Sequence, residues 1–285
     1  MRLDKDYLME MELWPHFEMR GIGQVAPVPT PAEQVSKPLA SGTAAARTSA
    51  ALTAATPPAA APAPAPAKSI PRNQPVKAVV PPPQTTALAP ADPALLATIA
   101  AADWPTLQHI ASACRLCGLC GQRKNVVFGV GAPAAHWLFI GDGPGAEEDE
   151  TGEPFVGPAG KLLDAMLGAT GLARGREVYI ANVVKCRPPG SRTPLAEEAL
   201  ACAPLLDRQI DLIRPKIIVA LGKTAIARLT GSDAAMTALR GRVHQYRSIP
   251  VIATYHPAYL LRNLPDKLKA WEDLQFAKTT LAGVL

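Results

Sequence analysis

The sequence lacks the features of a membrane-spanning or exported protein. No run of apolar residues approaches the length of about 18 that a transmembrane helix needs. The N-terminus mixes acidic and basic residues with its apolar ones, so it does not resemble a signal peptide. Cysteine is also scarce, with five in 285 residues. We expect a cytoplasmic protein, in which thiols stay reduced and serve metal binding or catalysis more often than disulfides.

The first hundred residues lack what a folded core requires. Sixteen of the 30 prolines fall between Pro27 and Pro93, among Ala, Thr, Val and Ser. Such a composition cannot bury enough apolar surface to offset the entropy lost on ordering. The sequence therefore predicts a disordered Ala/Pro-rich linker over residues 22–93 and one globular domain over residues 94–285.

Residues 1–21 are more apolar than the linker. They are either a loose terminus or a short docking peptide for a protein partner, held on the linker and anchored by Leu13, Trp14 and Phe17.

A strong charge of one sign is missing as well. Residues 1–105 contain eight basic and eight acidic residues, so the net charge of +5 lies on the remainder, with 21 against 16. This balance is compatible with a polyanionic partner and equally with an ordinary basic enzyme. We expect a monomer that does not associate with membranes.

Apolar runs and helical patterns alternate through the second half of the chain. Alternating strands and helices indicate a parallel sheet covered on both faces. The predicted fold is a three-layer α/β/α domain with a short, mostly parallel, four-stranded central sheet. Strands are predicted over 136–141, 177–184, 216–221 and 250–254. Helical patterns cover 92–113, 161–169, 195–213, 223–230 and 264–281.

The first strand leads into a turn rich in glycine, Gly141-Asp142-Gly143-Pro144-Gly145. Glycines allow close approach of the main chain to a ligand, because no Cβ atoms intervene. Acidic residues and one isolated aromatic residue, Phe155, follow. We interpret this stretch as the floor of an active site. Other polar loops follow the predicted strands at Asn182 and His256, and the carboxyl ends of parallel strands meet at one edge of a sheet.

Three cysteines lie within seven residues, at Cys114, Cys117 and Cys120. Two-residue gaps let neighbouring thiolates converge on one metal centre, but the spacing alone does not separate zinc from iron–sulfur. Cys186 and Cys202 complete the set. A metal centre with four cysteine ligands would leave one of the five cysteines unused, and that one would be among the first three.

Together these motifs resemble the family 4, iron–sulfur type, uracil-DNA glycosylases. The similar stretches are Gly141–Gly145 with the segment 152–163, then Tyr-Ile-Ala-Asn-Val-Val-Lys-Cys-Arg-Pro-Pro over 179–189 and His-Pro-Ala-Tyr-Leu-Leu-Arg over 256–262. They occur in the family's order and cover about residues 105–285. The resemblance implies a DNA repair enzyme that hydrolyses the N-glycosidic bond of deoxyuridine in single- or double-stranded DNA. It also implies a nucleoid-associated location.

The resemblance also implies site residues. Asp142 and His256 would be catalytic, and the base would be held by Gly141, Gly143, Gly145, Phe155, Asn182 and Ser191. A structural [4Fe–4S] cluster would be bound by Cys114, Cys117, Cys186 and Cys202, which leaves Cys120 spare. DNA-contact candidates are Lys185, Arg187, Arg192, Leu260, Leu261 and Arg262, where the two leucines either wedge into the base stack or pack internally.

Two positions depart from the family pattern. The family usually has Glu where this chain has Asp142, which places the carboxylate one methylene shorter. It often has Asn where Ser191 stands, so any role of that position rests on a hydroxyl instead of an amide.

Two alternatives remain open from the sequence. One is an iron–sulfur electron carrier, although such carriers pack their cysteines in one compact run with a Cys before Pro. The other is a non-catalytic or self-crosslinking uracil-DNA binding relative, which carries a longer basic insertion near residues 239–244. No such insertion is present.

Overall fold

The computed structural model describes residues 92–284. The predicted docking segment and the linker up to residue 91 lie outside the described residues. Asp92 and Pro93, which we assigned to the end of the linker, already belong to the first helix. Asp92 caps that helix by accepting a first-turn amide proton at 2.9 Å, and Pro93 is its first residue.

Nine α-helices and six strands make up this part of the chain, with short 3-10 turns between some of them. The helices are α1 (Pro93–Ala101), α2 (Trp104–Ala113), α3 (Ala146–Thr151), α4 (Pro158–Ala169), α5 (Ala196–Ile213), α6 (Lys223–Thr230), α7 (Met236–Leu239), α8 (Pro257–Leu260) and α9 (Lys267–Ala282). The strands are β1 (Val130–Gly131), β2 (Trp137–Gly141), β3 (Val178–Asn182), β4 (Ile217–Leu221), β5 (Val243–Tyr246) and β6 (Ile249–Thr254).

The sheet has the strand order β1-β3-β2-β4-β6-β5. The four inner strands are parallel, as predicted, whereas β1 and β5 are antiparallel edge strands that extend the predicted sheet from four strands to six. Neither edge strand has the continuous apolar run that marks the buried inner strands. β1 is only two residues long, and β5 is largely exposed.

Both faces of the sheet are covered by helices, which confirms the three-layer prediction. Along β2, Leu138 and Ile140 point into a core shared with α1, α2, α5 and α6. Trp137 and Phe139 point into a second core shared with α4 and α9. Because successive strand residues face opposite sides, a strand buried on both faces is continuously apolar.

One predicted helical stretch is divided in the structure. The pattern over 92–113 forms two helices, because Asp103 caps a new start by accepting from the Thr106 amide at 3.0 Å and Pro105 follows in its first turn. Within residues 92–284, no helix combines the length and apolar character that crossing a membrane requires.

Candidate functional site

A cleft of about 400 Å³ lies at the carboxyl ends of the parallel strands. Gly141 and Asn182 end β2 and β3 and pair directly across the sheet, and β6 leads into His256. We call this cavity the strand-end cleft. It is lined by Asp142, Gly143, Pro144, Gly145, Glu148, Phe155, Ala159, Asn182, Ser191, Arg192, Thr193, Pro194, His256, Ala258, Tyr259 and Arg262.

The Phe155 ring forms one wall of the strand-end cleft. Its side chain is buried, and its ring centroid lies 5.5 Å from that of His256 at an interplanar angle of 30°. A Cβ on Gly141 would come within 2.5 Å of the Phe155 ring and 2.7 Å of the Asn182 amide oxygen. Gly141 therefore has to be glycine for the ring and the amide to meet at this corner, although it does not line the cleft.

Asn182 presents an unpaired polar atom to the cleft. The residue is 2% exposed, and its Oδ1 atom has no hydrogen-bond partner among the described residues. A buried acceptor without a partner is costly and is rare in folded proteins. Its place at the end of β3 therefore suits an N–H donor supplied by a ligand.

His256 is held in one tautomer by its own backbone. Its Nδ1 atom accepts the Ala258 amide proton at 3.2 Å, so in the neutral ring the proton lies on Nε2. Burial lowers the pKa of His256 to about 4, against an opposing effect of Glu148. At neutral pH the ring is therefore an uncharged hydrogen-bond donor.

Asp142 lies beside His256, where both approach Gly222. A Cβ on Gly222 would lie 3.1 Å from His256 Cβ and 3.4 Å from Asp142 Oδ1. Burial raises the pKa of Asp142 to about 6, although hydrogen bonds with Thr224 and the Ala225 backbone oppose this shift. Its Oδ1 atom has no protein partner among residues 92–284. The carboxylate therefore keeps one acceptor free.

Glu148 is a cleft residue that the sequence analysis missed. Its carboxylate accepts the Gly145 amide at 2.9 Å and the Val156 and Gly157 amides at 3.1 and 3.2 Å. It thereby ties the glycine turn to the loop that carries Phe155. A partial signal was available, because an acid at the third helical position can accept the N-cap amide as in a capping box, although Gly145 lacks the side chain that would complete the box.

The loop containing Ser191 closes one side of the cleft. Ser191 is exposed and has a left-handed backbone (φ +53°), and its hydroxyl accepts from Arg187 Nε at 3.1 Å. Arg192 forms two hydrogen bonds with the Glu198 carboxylate, at 2.8 and 2.6 Å. Both arginines proposed as DNA contacts thus already hold this loop.

Two of the DNA-contact candidates are buried. Lys185 is 1% exposed, and its Nζ atom donates to the Asn182 carbonyl at 2.9 Å. Leu260 is fully buried in the core shared with α4 and α9, so it packs internally. Leu261 and Arg262 are exposed on the same segment, and Arg262 lines the cleft.

All five cysteines line a second, smaller cavity, together with Lys185 and Arg123. We call it the thiol cavity. Arg123 donates to Cys186 Sγ at 3.0 Å and to the Ser112 carbonyl at 2.6 Å. The segment after α2, the loop after β3 and helix α5 therefore meet here.

Burial raises the thiol pKa to about 11 at Cys117 and about 12 at Cys202, and it also raises the pKa of Cys186. No three His, Cys, Asp or Glu side chains within residues 92–284 are grouped as the ligands of a single metal ion. A four-iron cluster contacts its thiolates at separate corners, so its ligands stand farther apart than those of one ion.

The sequence matches known proteins over the same region. A sequence model of the uracil DNA glycosylase superfamily matches residues 128–275. A type-4 uracil-DNA glycosylase of Thermotoga maritima is 46% identical over 170 residues, which cover 58% of this chain and 88% of that protein. A second, of Sulfurisphaera tokodaii, is 45% identical over 169 residues, covering 56% and 76%.

Similarity to another type of the superfamily is more restricted. A type-5 uracil-DNA glycosylase of Pyrobaculum aerophilum is 38% identical over 88 residues, which cover only 38% of that protein. The type-4 relatives match across most of their length, and the superfamily model spans just over half of this chain. The chain therefore belongs to the uracil DNA glycosylase superfamily, and within it to the type-4 uracil-DNA glycosylases.

Proposed function

We propose that this protein releases uracil from DNA by hydrolysing the N-glycosidic bond of deoxyuridine, leaving an abasic site. One observation carries the proposal: the Phe155 ring, the Asn182 amide and the His256 imidazole line one cleft together with the Asp142 carboxylate. The names of the type-4 relatives support the same activity. The target nucleotide must leave the base stack to enter the cleft, at a cost of roughly a few kcal/mol.

Uracil recognition rests on Phe155 and Asn182. The Phe155 ring offers a face for stacking, and such a stack contributes about 1–3 kcal/mol. The unpaired Asn182 Oδ1 accepts the N3–H of uracil, and the amide NH₂ donates to O4. Cytosine has an unprotonated N3 and a 4-amino group, so both contacts would be mismatched. An unmet buried polar group costs about 1–3 kcal/mol, which supplies the discrimination.

His256 stabilises the leaving group. As the glycosidic bond breaks, the sugar becomes oxocarbenium-like and the uracil acquires negative charge. The Nε2–H of the neutral His256 ring donates to the developing charge on O2, as in an oxyanion hole. A neutral donor suits this role, because it stabilises the anion through a hydrogen bond without needing a titration near neutral pH.

Asp142 acts on the sugar side of the bond. With a pKa of about 6 it is ionised at neutral pH, and its free Oδ1 can hold the attacking water. Its negative charge also stabilises the cationic sugar in a desolvated environment. The shorter side chain, compared with the usual Glu, places the carboxylate against Gly222 and His256.

DNA binding at the rim of the cleft falls to Arg262 and Leu261. Both side chains are exposed beside the cleft, so Arg262 is suited to a phosphate contact and Leu261 to the space that a flipped base leaves. Arg187 and Arg192 act indirectly, by fixing the Ser191 loop. The substrate also supports a cytoplasmic, nucleoid-associated location.

We further propose that Cys114, Cys117, Cys186 and Cys202 bind a structural [4Fe–4S] cluster. The environment of Lys185 supports this assignment. Its ammonium group is buried beside the thiols, and no carboxylate pairs with it among residues 92–284. Burial of an ammonium group away from negative charge is costly and favours its neutral form, and burial lowers the pKa of Lys185 to about 8 against the opposing effect of Cys202 and Cys186. A cluster with four thiolate ligands is a net anion, and Lys185 and Arg123 are placed to balance its charge.

The cluster supplies no chemical step in this proposal. When bound, it would join the segment after α2, the loop after β3 and helix α5 covalently. Because Lys185 donates to the Asn182 carbonyl, the same loop supports the residue that reads the base.

The function is tested by incubating the purified full-length chain, without added metal, with oligonucleotides that contain one uracil, cytosine or thymine. We expect free uracil and an alkali-labile abasic site from the uracil strand only. A denaturation-resistant protein–DNA adduct would favour the self-crosslinking alternative, and an inactive but reversibly reducible brown protein would favour the electron carrier. Either result overturns the proposed hydrolysis.

A further inference from the structure

Phe155 holds its ring in the cleft from an unfavourable backbone conformation. Its φ is +56°, in the left-handed region that residues with a side chain rarely adopt. Such a conformation persists only when the surrounding contacts impose it. The contacts on the Phe155 main chain therefore decide where the ring stands.

Arg174 makes the most direct of these contacts. Its guanidinium Nη1 donates to the Pro154 carbonyl at 2.8 Å, and Nη2 donates to the Phe155 carbonyl at 2.5 Å. The remaining nitrogen, Nε, forms an ion pair with Asp164 on α4. A planar guanidinium holds both carbonyls in one rigid geometry, whereas a lysine ammonium is a compact charge with freely rotating donors on a flexible stem.

The same peptide is packed closely against helix α4. A Cβ on Gly160 would lie 1.8 Å from the Phe155 carbonyl oxygen and 3.0 Å from its Cα, so the loop rests directly on the backbone of α4. Glu148 accepts the amides of Val156 and Gly157 on the other side. Carbonyls are thus fixed by Arg174 and amides by Glu148.

Arg174 does not line the strand-end cleft, so its influence on a bound base passes through Phe155. We propose that Arg174 is a positioning residue that sets the stacking face of Phe155 and thereby the affinity for the flipped uracil. This inference rests on the proposed function, since it concerns how that same site holds its base.

A double-mutant cycle tests the proposal. Arg174→Gln, Phe155→Ala and the double variant are compared for kcat/KM on a uracil oligonucleotide and for inhibition by free uracil. We expect Arg174→Gln alone to lower kcat/KM and weaken uracil inhibition by about 5- to 150-fold, the range of a lost base stack. In the Phe155→Ala background the same change should cost less than about twofold. Arg174→Lys should fall between wild type and Arg174→Gln.

Asp164→Asn is the matched control, because it alters the ion pair of Arg174 and leaves the carbonyl fork in place. We expect its kcat/KM to stay within about twofold of wild type. Equal losses from Arg174→Gln in both backgrounds would indicate general destabilisation and would overturn the proposal. Unchanged inhibition by free uracil in Arg174→Gln would overturn it too.

Amide hydrogen exchange separates this proposal from the proposed function. In Arg174→Gln we expect exchange at residues 155–157 to accelerate by about tenfold while the central strands keep their protection. This measurement needs no activity, so it remains decisive if the wild-type chain releases no uracil and the glycosylase proposal fails. Unaltered exchange over 155–157 would mean that Arg174 does not hold the loop.

Discussion

The strand-end cleft and the thiol cavity adjoin the same stretch of chain after β3, but they treat polar atoms differently. In the cleft, Asp142 and Asn182 each keep a buried oxygen without a protein partner. In the thiol cavity, Cys186 Sγ accepts a hydrogen bond from Arg123, and Lys185 donates to a carbonyl. In the proposed function, uracil and the attacking water supply the missing donors in the cleft, whereas Lys185 and Cys186 in the thiol cavity already have protein partners.

We expect the largest loss of activity from His256→Ala, a substitution that should leave the thiol cavity unchanged. Loss of the single neutral donor to uracil O2 should lower kcat by about 10²- to 10³-fold, as for other oxyanion-hole donors. The visible absorbance expected of the proposed [4Fe–4S] cluster should not change, because His256 lines the cleft and not the thiol cavity. Uracil release at the wild-type rate would remove His256 from the mechanism.

The converse experiment removes one proposed cluster ligand from the thiol cavity. Cys186→Ala should remove the visible absorbance and lower the melting temperature, because three segments lose their common attachment. Cys120→Ser is the matched control and should keep both the colour and the stability. Loss of colour in Cys120→Ser would mean that the ligand set is misassigned among the first three cysteines.

The pH dependence of kcat/KM tests the role of Asp142 separately from that of His256. In the proposed mechanism Asp142 acts as a carboxylate, so kcat/KM should fall about tenfold per pH unit below a midpoint near 6. His256 has a pKa of about 4, so its titration should not alter kcat/KM above pH 5. A profile that stays flat down to pH 4.5 would contradict this assignment.

The raised pKa of Asp142 also predicts how stability changes with pH, in the direction opposite to the change in activity. Burial raises the pKa of Asp142 in the fold above its unfolded value, so the native state binds the extra proton. Its stability contribution is present below about pH 4 and is lost as the pH rises through 6. Asp142→Asn should therefore abolish most activity and yet raise the melting temperature at pH 7 by a few degrees, but not at pH 3.

The smallest expected effect is at the rim. Arg262→Ala should weaken DNA binding several-fold. It should also make the plot of the logarithm of the DNA-binding constant against the logarithm of salt concentration less steep by about 0.9, because one phosphate contact is lost. Arg242→Ala is the control, because that exposed arginine does not line the cleft. An unchanged salt slope for Arg262→Ala would exclude a phosphate contact there.

Most of the fold was readable from the sequence because the inner strands are buried on both faces and therefore continuously apolar. The edge strands were missed for the opposite reason. β5 runs Val243–Tyr246 with its residues mostly exposed, and β1 has only two residues, so neither has a periodic pattern. Their existence depends on pairing with a neighbouring strand, which local sequence does not encode.

The candidate site was predictable to a similar degree. Motif residues were brought into one cleft, but Lys185 was assigned to the surface because lysine is seldom buried without a partner. Cys186 is adjacent in the sequence, but only the folded arrangement brings the other thiols to the same cavity. Arg174 was missed because its contacts are to main-chain carbonyls of a loop 19 and 20 residues earlier, and carbonyls carry no sequence signal.

The hydrogen bond from Lys185 to the Asn182 carbonyl has an evolutionary consequence. A descendant that lost its cysteines would retain a buried lysine without the neighbouring thiols, bonded to the carbonyl of the residue proposed to read the base. Replacement of Lys185 by an uncharged residue is therefore expected to accompany loss of the cysteines in the same lineage, because burial disfavours its charge.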